Sequence, residues 1–471
     1  MSSPTTRRSA FEGVPAALSG FGLLLVLLAV APARATDGDP DPTFGTSGGV
    51  EVDHGPTDQP FAIAVGNDGD IYAVGFTVVS PWTEYMIAKI SPAGVVLATA
   101  LGPGSSSDEA HAVLMDPPDG LLVAGQHLSP TSTDLFVCRY FTASLTLDPS
   151  YGTGGCYVRT AGPTTIFKVT PGGMARASNG NALVAGTLQQ TTIGGSPRRP
   201  YFVLALDSSG APATPFGFHN VFVTPNPDTE LDTFPSIAVD HAGHVVLAGS
   251  APYSNISAIG IARLNADGST DTSFGNNGTL LFLSDGNVFD DSADSITFDF
   301  ANSSFEIGYT ALDFDSSWHV GLAHFDAAGN PAPFPGTGGA PAVIEMPWSP
   351  DPGEAISGLT RLTSGKLLVA GEGSSGHHFW TTRLLANGQV DTTYGNAGSA
   401  LYVPANHGHG TSTGVIGLAL DGGRPLLLGG TQQTDLNWLV VRLRASIIFY
   451  GRFETGDFSD WIVRCAPGAS C

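Results

Sequence analysis

A short apolar strand that ends in a small residue and glycine recurs along this chain, and it limits the fold more than any other feature. It stands as AVG at Gly75, VAG at Gly125, VAG at Gly186, LAG at Gly249, VAG at Gly371 and LGG at Gly430, with a weaker EIG copy at Gly308. The steps are 50, 61, 63, 59, 63 and 59 residues. A period of that size marks a solenoid, an array or a propeller. The best-kept unit, Leu231 to Phe282, reads as four strands: Ser236–Asp240, His244–Ser250, Ile259–Asn265 and Gly278–Phe282. Each is short, apolar and bounded by turn residues. His241–Gly243 and Ala266–Gly268 are tight turns, where glycine accepts positive φ. The repeat therefore predicts an all-β chain, a seven-bladed β-propeller of four-stranded antiparallel blades, whose radial repetition protects sheet edges. An open row of units or a pair of packed sheets is the other arrangement.

A second repeat is the turn Asp-x-x-aromatic-Gly, at Asp148–Gly152, Asp271–Gly275 and Asp391–Gly395. It also occurs at Asp41–Gly45, ahead of the first complete unit, while the last unit, Gly414–Ala445, has three strands and no such turn. The N-terminal piece then supplies the missing outer strand, with Gly49–Asp53 paired against Leu436–Leu443. The third strand of each unit carries Lys89, Arg139, Ala205, Arg263, His324, Arg383 or Arg442 at one register. Arginine and the Asp turn go together: Arg139 with Asp148, Arg263 with Asp271, Arg383 with Asp391. Arg442 has a partner, Asp41, only if the ends meet. A guanidinium that holds a carboxylate with two hydrogen bonds is the physical reason to keep both or neither.

In SGKLLVAG (Ser364–Gly371) and ARLNADGSTDTSFG (Ala262–Gly275), and nearly in TRLLANGQVDTTYG (Thr382–Gly395), the chain resembles the delta-60 repeat family of exported bacterial proteins. The resemblance covers about Asp41–Ala445 and implies a propeller; it brings no reaction with it. IIFYGRFETGDFSDW, followed by a Cys-bracketed end, is similar to a short tail found on exported proteins of some Gram-negative bacteria. Such a tail either packs on the ring or serves surface retention.

Residues 1–35 have Arg7 and Arg8, an apolar run around Leu23–Ala31 and an Ala33-Arg34-Ala35 site, the plan of a secretory signal peptide. Residues 36–445 then form the repeat domain and 446–471 a tail. A secreted, periplasmic or cell-surface bacterial protein is expected, with no membrane span. Net charge is −23, from 19 basic and 42 acidic residues. That field repels nucleic acid and anionic membranes and favours cations, neutral glycans or basic proteins. Four cysteines in an exported chain are expected to pair. Cys138 and Cys156 fall on neighbouring predicted strands; Cys465 and Cys471 close the tail.

Three groups of residues are candidate sites. Acidic residues gather in the loops between units, including Asp58, Asp108, Glu109, Asp291 and Asp294. They form either an acidic mouth for Ca2+ or a set of carboxylates that cap their own loops. His377, His378, His407 and His409 have HH and HxH spacings able to ligate zinc or copper, or they are polar loop residues. Trp82, Trp318, Trp348, Trp380 and Trp438 fall in or near the same loops, either as stacking platforms for a glycan or protein or as packing between units. Asp267, Ser269 and Asp271 lack the bidentate Glu of a calcium loop and read as a hairpin turn. No nucleophile elbow, P-loop, HExxH or dinucleotide fingerprint is present, so no catalytic residue is assigned. The sequence favours a non-catalytic propeller that binds a protein, glycan or cation on its loop face. A metal-assisted hydrolase or polysaccharide lyase using that face, and a structural surface protein, are the alternatives.

Overall fold

The computed structural model describes residues 37–445, apart from 103–106, 129–132, 161–164, 193–199, 222, 224–234, 254–255, 286–287, 300–301, 315–317, 337, 347–354, 374–377 and 433–434. The leader, the tail with Cys465 and Cys471, Trp348 and His377 lie outside the described residues.

The strand order is a repeated meander. A lone strand, β1 (Gly49–Val52), comes first. One sheet follows from β2 (Asp58–Val65), β3 (Ile71–Val79), β4 (Trp82–Ile90) and β5 (Val96–Leu101). The next has β6 (Ser107–Asp116), β7 (Gly120–Leu128), β8 (Thr133–Phe141) and β9 (Cys156–Arg159). Then come β10 (Thr165–Arg176), β11 (Ala182–Thr192), β12 (Tyr201–Leu206) and β13 (Phe218–Val221). The best-kept repeat forms β14 (Ser236–Val239), β15 (Val245–Tyr253), β16 (Ile256–Leu264) and β17 (Thr279–Phe282), close to the strands read from its sequence. After it run β18 (Val288–Asp299), β19 (Ser304–Asp313), β20 (Trp318–Phe325) and β21 (Val343–Glu345). The last strands are β22 (Ala355–Arg361), β23 (Leu367–Glu372), β24 (Phe379–Leu384) and β25 (Ser399–Tyr402), then β26 (Thr411–Asp421), β27 (Arg424–Gln432) and β28 (Leu436–Arg442).

The expectation of a seven-bladed propeller of four-stranded blades is overturned. Five four-stranded blades stand as separate sheets, and β14 to β21 form one eight-stranded sheet. The join is a single parallel bridge, Ser257 in β16 with Asp290 in β18. It couples two antiparallel meanders that the sequence shows only as separate repeats. The first strands of the meanders, β2, β6, β10, β14, β18, β22 and β26, contact one another in succession, and β26 contacts β2. The fold is a β-propeller.

The ends of the ring meet as the two orphan pieces require. β1 is antiparallel to β28, with Gly49 opposite Val441 and Val52 opposite Trp438, so the sheet runs β1-β28-β27-β26. The core lies between neighbouring sheets. Phe44 and Val52 from the N-terminal piece pack with Trp438 and Val440 from β28 and with Ile71 and Met86 from the first complete sheet. Burial of such side chains stabilises by about 1.5–3 kcal/mol each, so the joint is a continuation of the core.

The recurring glycine has a backbone cause. Gly75, Gly125 and Gly371 each lie opposite a β-bulge in the innermost strand, between Pro60 and Ala62, Ala110 and Ala112, and Ile356 and Gly358. A Cβ at these positions would strike the carbonyl oxygen of Gln59, Glu109 or Ala355. Only glycine admits that approach.

Candidate functional site

The Asp-x-x-aromatic-Gly turns are joints between sheets. In three of them the third-strand arginine donates Nε to the turn carboxylate: Arg263 to Asp271 at 2.7 Å, Arg383 to Asp391 at 2.7 Å and Arg442 to Asp41 at 2.9 Å. The same guanidinium lies over the turn's aromatic ring, 4.6 Å from Phe274, 4.7 Å from Tyr394 and 4.7 Å from Phe44. Arg139 reaches Asp148 through Nη1 at 2.5 Å and also holds Asp116 and Asp119. The closing glycine of each turn adopts positive φ, between 50° and 57°. Its N–H crosses to the next sheet: Gly45 to Ala93 O, Gly152 to Ser209 O, Gly275 to Ala328 O and Gly395 to Asp37 O. Units without the motif supply these acceptors, except at Asp37. In them Lys89 pairs with Asp70 at 2.9 Å, and His324 Nδ1 lies 2.8 Å from Ala332 O.

The opposite edge of each sheet carries the candidate site. In an antiparallel meander the start of the first strand lies at the same end as the hairpin between the second and third strands. Asp58, at the start of β2, is opposite Thr77, and the β3–β4 hairpin closes at Val79 and Trp82. Trp82 is 51% exposed, and Trp318, at the corresponding start of β20, is 45% exposed. Tyr253, Phe314 and Val79 are exposed at the same kind of hairpin tip. Trp380 and Trp438 correct the expectation of a tryptophan rim: both are buried, in clusters between sheets, because each stands inside its strand on the face turned to a neighbour.

The acidic loop residues act mainly as caps. Asp58 Oδ2 accepts from His54 N–H at 2.7 Å and Gly55 N–H at 3.3 Å. Asp291 accepts from Ser284 N–H at 2.7 Å and Ser284 Oγ at 2.8 Å, and burial still pushes its carboxyl up to about 6. Asp108 lies 2.5 Å from His127 Nδ1. Asp267 accepts from Ser269 N–H and Oγ, the hairpin turn read from the sequence.

The bulges present a second layer. Phe61 and His111 are the extra residues in β2 and β6, and their rings stack at 4.3 Å. His111 Nε2 lies 3.1 Å from Glu109 Oε2, and Gln126 donates to that oxygen at 2.7 Å. In β18 the extra residue is Asp294. Burial pushes its carboxyl up to about 7, against hydrogen bonds from Thr310 and Ser292. Bulges often re-aim side chains beside functional sites, and the recurring glycine was the sequence signal that could have located them.

The histidines do not act as one group among the described residues. His378 is buried; His407 stacks on Tyr402 at 4.6 Å; His409 Nε2 lies 3.0 Å from Thr46 O and its Nδ1 3.7 Å from Glu51. His409 and Glu51 border a cavity of about 320 Å³ where β1 closes the ring. Cys138 and Cys156, paired in register across β8 and β9, form the expected disulfide, with Cα atoms 4.1 Å apart.

Two stretches, residues 243–274 and 362–394, match the family described as "Domain of unknown function (DUF5122) beta-propeller". No curated protein matches the chain significantly. Among solved structures, Sqt1 from Chaetomium thermophilum is similar at 13% identity and a TM-score of 0.44, over 87% of this chain and 100% of that one. Drosophila Semaphorin 2a is similar at 8% identity and 0.46, over 84% and 75% of the two chains. The polysaccharide lyase Uly1 is similar at 10% identity and 0.46, over 83% and 90%.

Proposed function

We propose that this is an exported bacterial β-propeller of the delta-60 repeat type whose hairpin-tip face binds a basic protein. The observation that carries the reading is the placement of exposed large apolar side chains. Val79, Trp82, Tyr253, Phe314 and Trp318 stand at hairpin tips on one edge of the sheets, and the others lie on or beside outermost strands. Exposed tryptophans among polar loops are frequent anchors of protein interfaces. A net charge of −23 steers a positively charged partner toward them. The leader and the Cys138–Cys156 bond support export into an oxidising compartment.

The test is selection of binders from a random peptide library against the chain from residue 36, beside a glycan array. Basic peptides should be enriched, should weaken as salt rises, and should lose at least tenfold in affinity with Trp82→Ala or Trp318→Ala at unchanged melting temperature. Glycan binding without peptide binding would replace the protein partner by a carbohydrate. Peptide affinity unmoved by either substitution would remove this face from the proposal.

A further inference from the structure

We infer that Asp285, Asp313 and His319 form a binding site for a divalent transition-metal ion of the Zn2+ class. The three residues come from different places in the chain. Asp285 lies in the loop that leads from β17 into β18, Asp313 ends β19, and His319 is the second residue of β20. The β19–β20 hairpin sets Ala311 opposite His319, which brings Asp313 and His319 to one face, and the incoming loop adds Asp285. One ligand atom from each of the three lies within 4.8 Å of the others. His319 Nδ1 and Asp313 Oδ2 are 3.8 Å apart. That is too long for a hydrogen bond. It is near the spacing of two ligands on one tetrahedral ion, about 3.4 Å for bonds of about 2.1 Å.

Independent observations point to a missing ligand. Among the described residues, Asp313 Oδ1 and His319 Nε2 are buried without a hydrogen-bond partner. Tyr309, fully buried on the same face of β19 as Asp313, has a hydroxyl that also lacks a partner among the described residues, and its ring meets His319 edge to face at 6.4 Å. Such atoms, two of them on the side chains whose Oδ2 and Nδ1 lie 3.8 Å apart, are polar groups of the kind folded proteins satisfy with water or an ion. An imidazole among the ligands selects Zn2+ or a neighbouring transition metal over Ca2+, which takes six or more oxygens. Asp, Asp and His leave a tetrahedral ion one open position. The assignment does not depend on the partner proposed above.

The experiment titrates untagged, metal-stripped chain from residue 36 with Zn2+ by calorimetry and with Co2+ by visible absorption. One equivalent should bind, with the intense visible bands of low-coordinate Co2+. Asp285→Asn, at an exposed position, and His319→Gln should each weaken binding tenfold or more, whereas His407→Ala should not. Circular dichroism confirms that each variant is folded, and Asp285→Asn keeps the test open if His319→Gln is not. Absence of binding, loss of binding with His407→Ala but not Asp285→Asn, or preference for Ca2+ over Zn2+ would each overturn the assignment.

Discussion

Replacing Arg442 with alanine tests whether the ring is held shut by one guanidinium. Arg442 is 2% exposed and ties four segments together. Its Nε donates to Asp41 at 2.9 Å, Nη1 to Asp421 at 3.0 Å and to Pro92 O at 2.5 Å, and Nη2 to Thr43 Oγ1 at 3.2 Å. Without it, Asp41 and Asp421 stay buried as two carboxylates. Arg424 is the remaining cation, 3.6 Å from Asp41 and 2.5 Å from Asp421. Breaking a buried pair costs about 3–5 kcal/mol, and Arg424 places the loss near the lower end. The assay is urea unfolding of Arg442→Ala, Asp41→Asn and the double variant, with the slope checked for constancy. We expect about 3 kcal/mol from Arg442→Ala, and a double variant less destabilised than the sum of the two singles by at least about 1 kcal/mol. A loss below about 1 kcal/mol, or additivity within about 0.5 kcal/mol, would refute the reasoning.

Deleting Asp41–Asp53 strips the outer strand from β28 and uncovers its edge; a single melting transition should shift down as a whole, and an unmoved transition would show that β1 is an accessory. Cys138→Ser with Cys156→Ser opens a loop of 18 residues and should cost about 3 kcal/mol by the chain-entropy relation, read by the same urea unfolding. The pH dependence has two limbs. Burial alone would raise Asp41, Asp271 and Asp391, but hydrogen bonds from Thr43, Ser273, Thr393 and Lys366 and the charges of the arginines hold them below the usual carboxylate range. Their stabilisation is complete above about pH 4 and is lost as the pH falls through the lowered values. Asp294, pushed up to about 7, acts in the opposite sense: the fold favours its protonated form, so stability declines from about pH 4 to 7. Melting temperature should therefore fall between about pH 4 and 7, and Asp294→Asn should reduce that decline.

Much of the ring was legible because its rules are local. The glycine of each VAG strand reports a bulge in the strand beside it, and the arginine and Asp turn report one joint. Arg442 and Asp41, each lacking a partner nearby in sequence, identified each other. The tryptophans were less legible. Which side of a strand faces a neighbouring sheet is set by twist and by the next sheet's position, so Trp438 and Trp82 look alike in sequence while one is buried and the other exposed. The Ser257–Asp290 bridge that merges two meanders has no pattern of its own. The HH and HxH spacings drew attention to histidines with separate neighbours. Asp313 and His319 carried a quieter signal, a carboxylate and an imidazole across one hairpin, with Asp285 arriving from a loop that sequence spacing does not place.

The closing joint also separates the order of the strands from the order of the chain. Gly38 N–H donates to Arg444 O at 2.9 Å, and Arg444 N–H to Asp39 O at 2.8 Å, so residues 37 and 445 leave the ring side by side. A short linker between them, with new ends opened in an exposed turn such as Ser178–Gly180, would turn β28 and β1 into an ordinary hairpin. The pairing that now joins positions about 400 residues apart in sequence, as Arg442 and Asp41 do, would become local. Loop-closure entropy grows only with the logarithm of length, so the permuted ring should be about as stable as the natural one. Its folding should be faster, because the last contact to form would no longer wait for both ends of the chain.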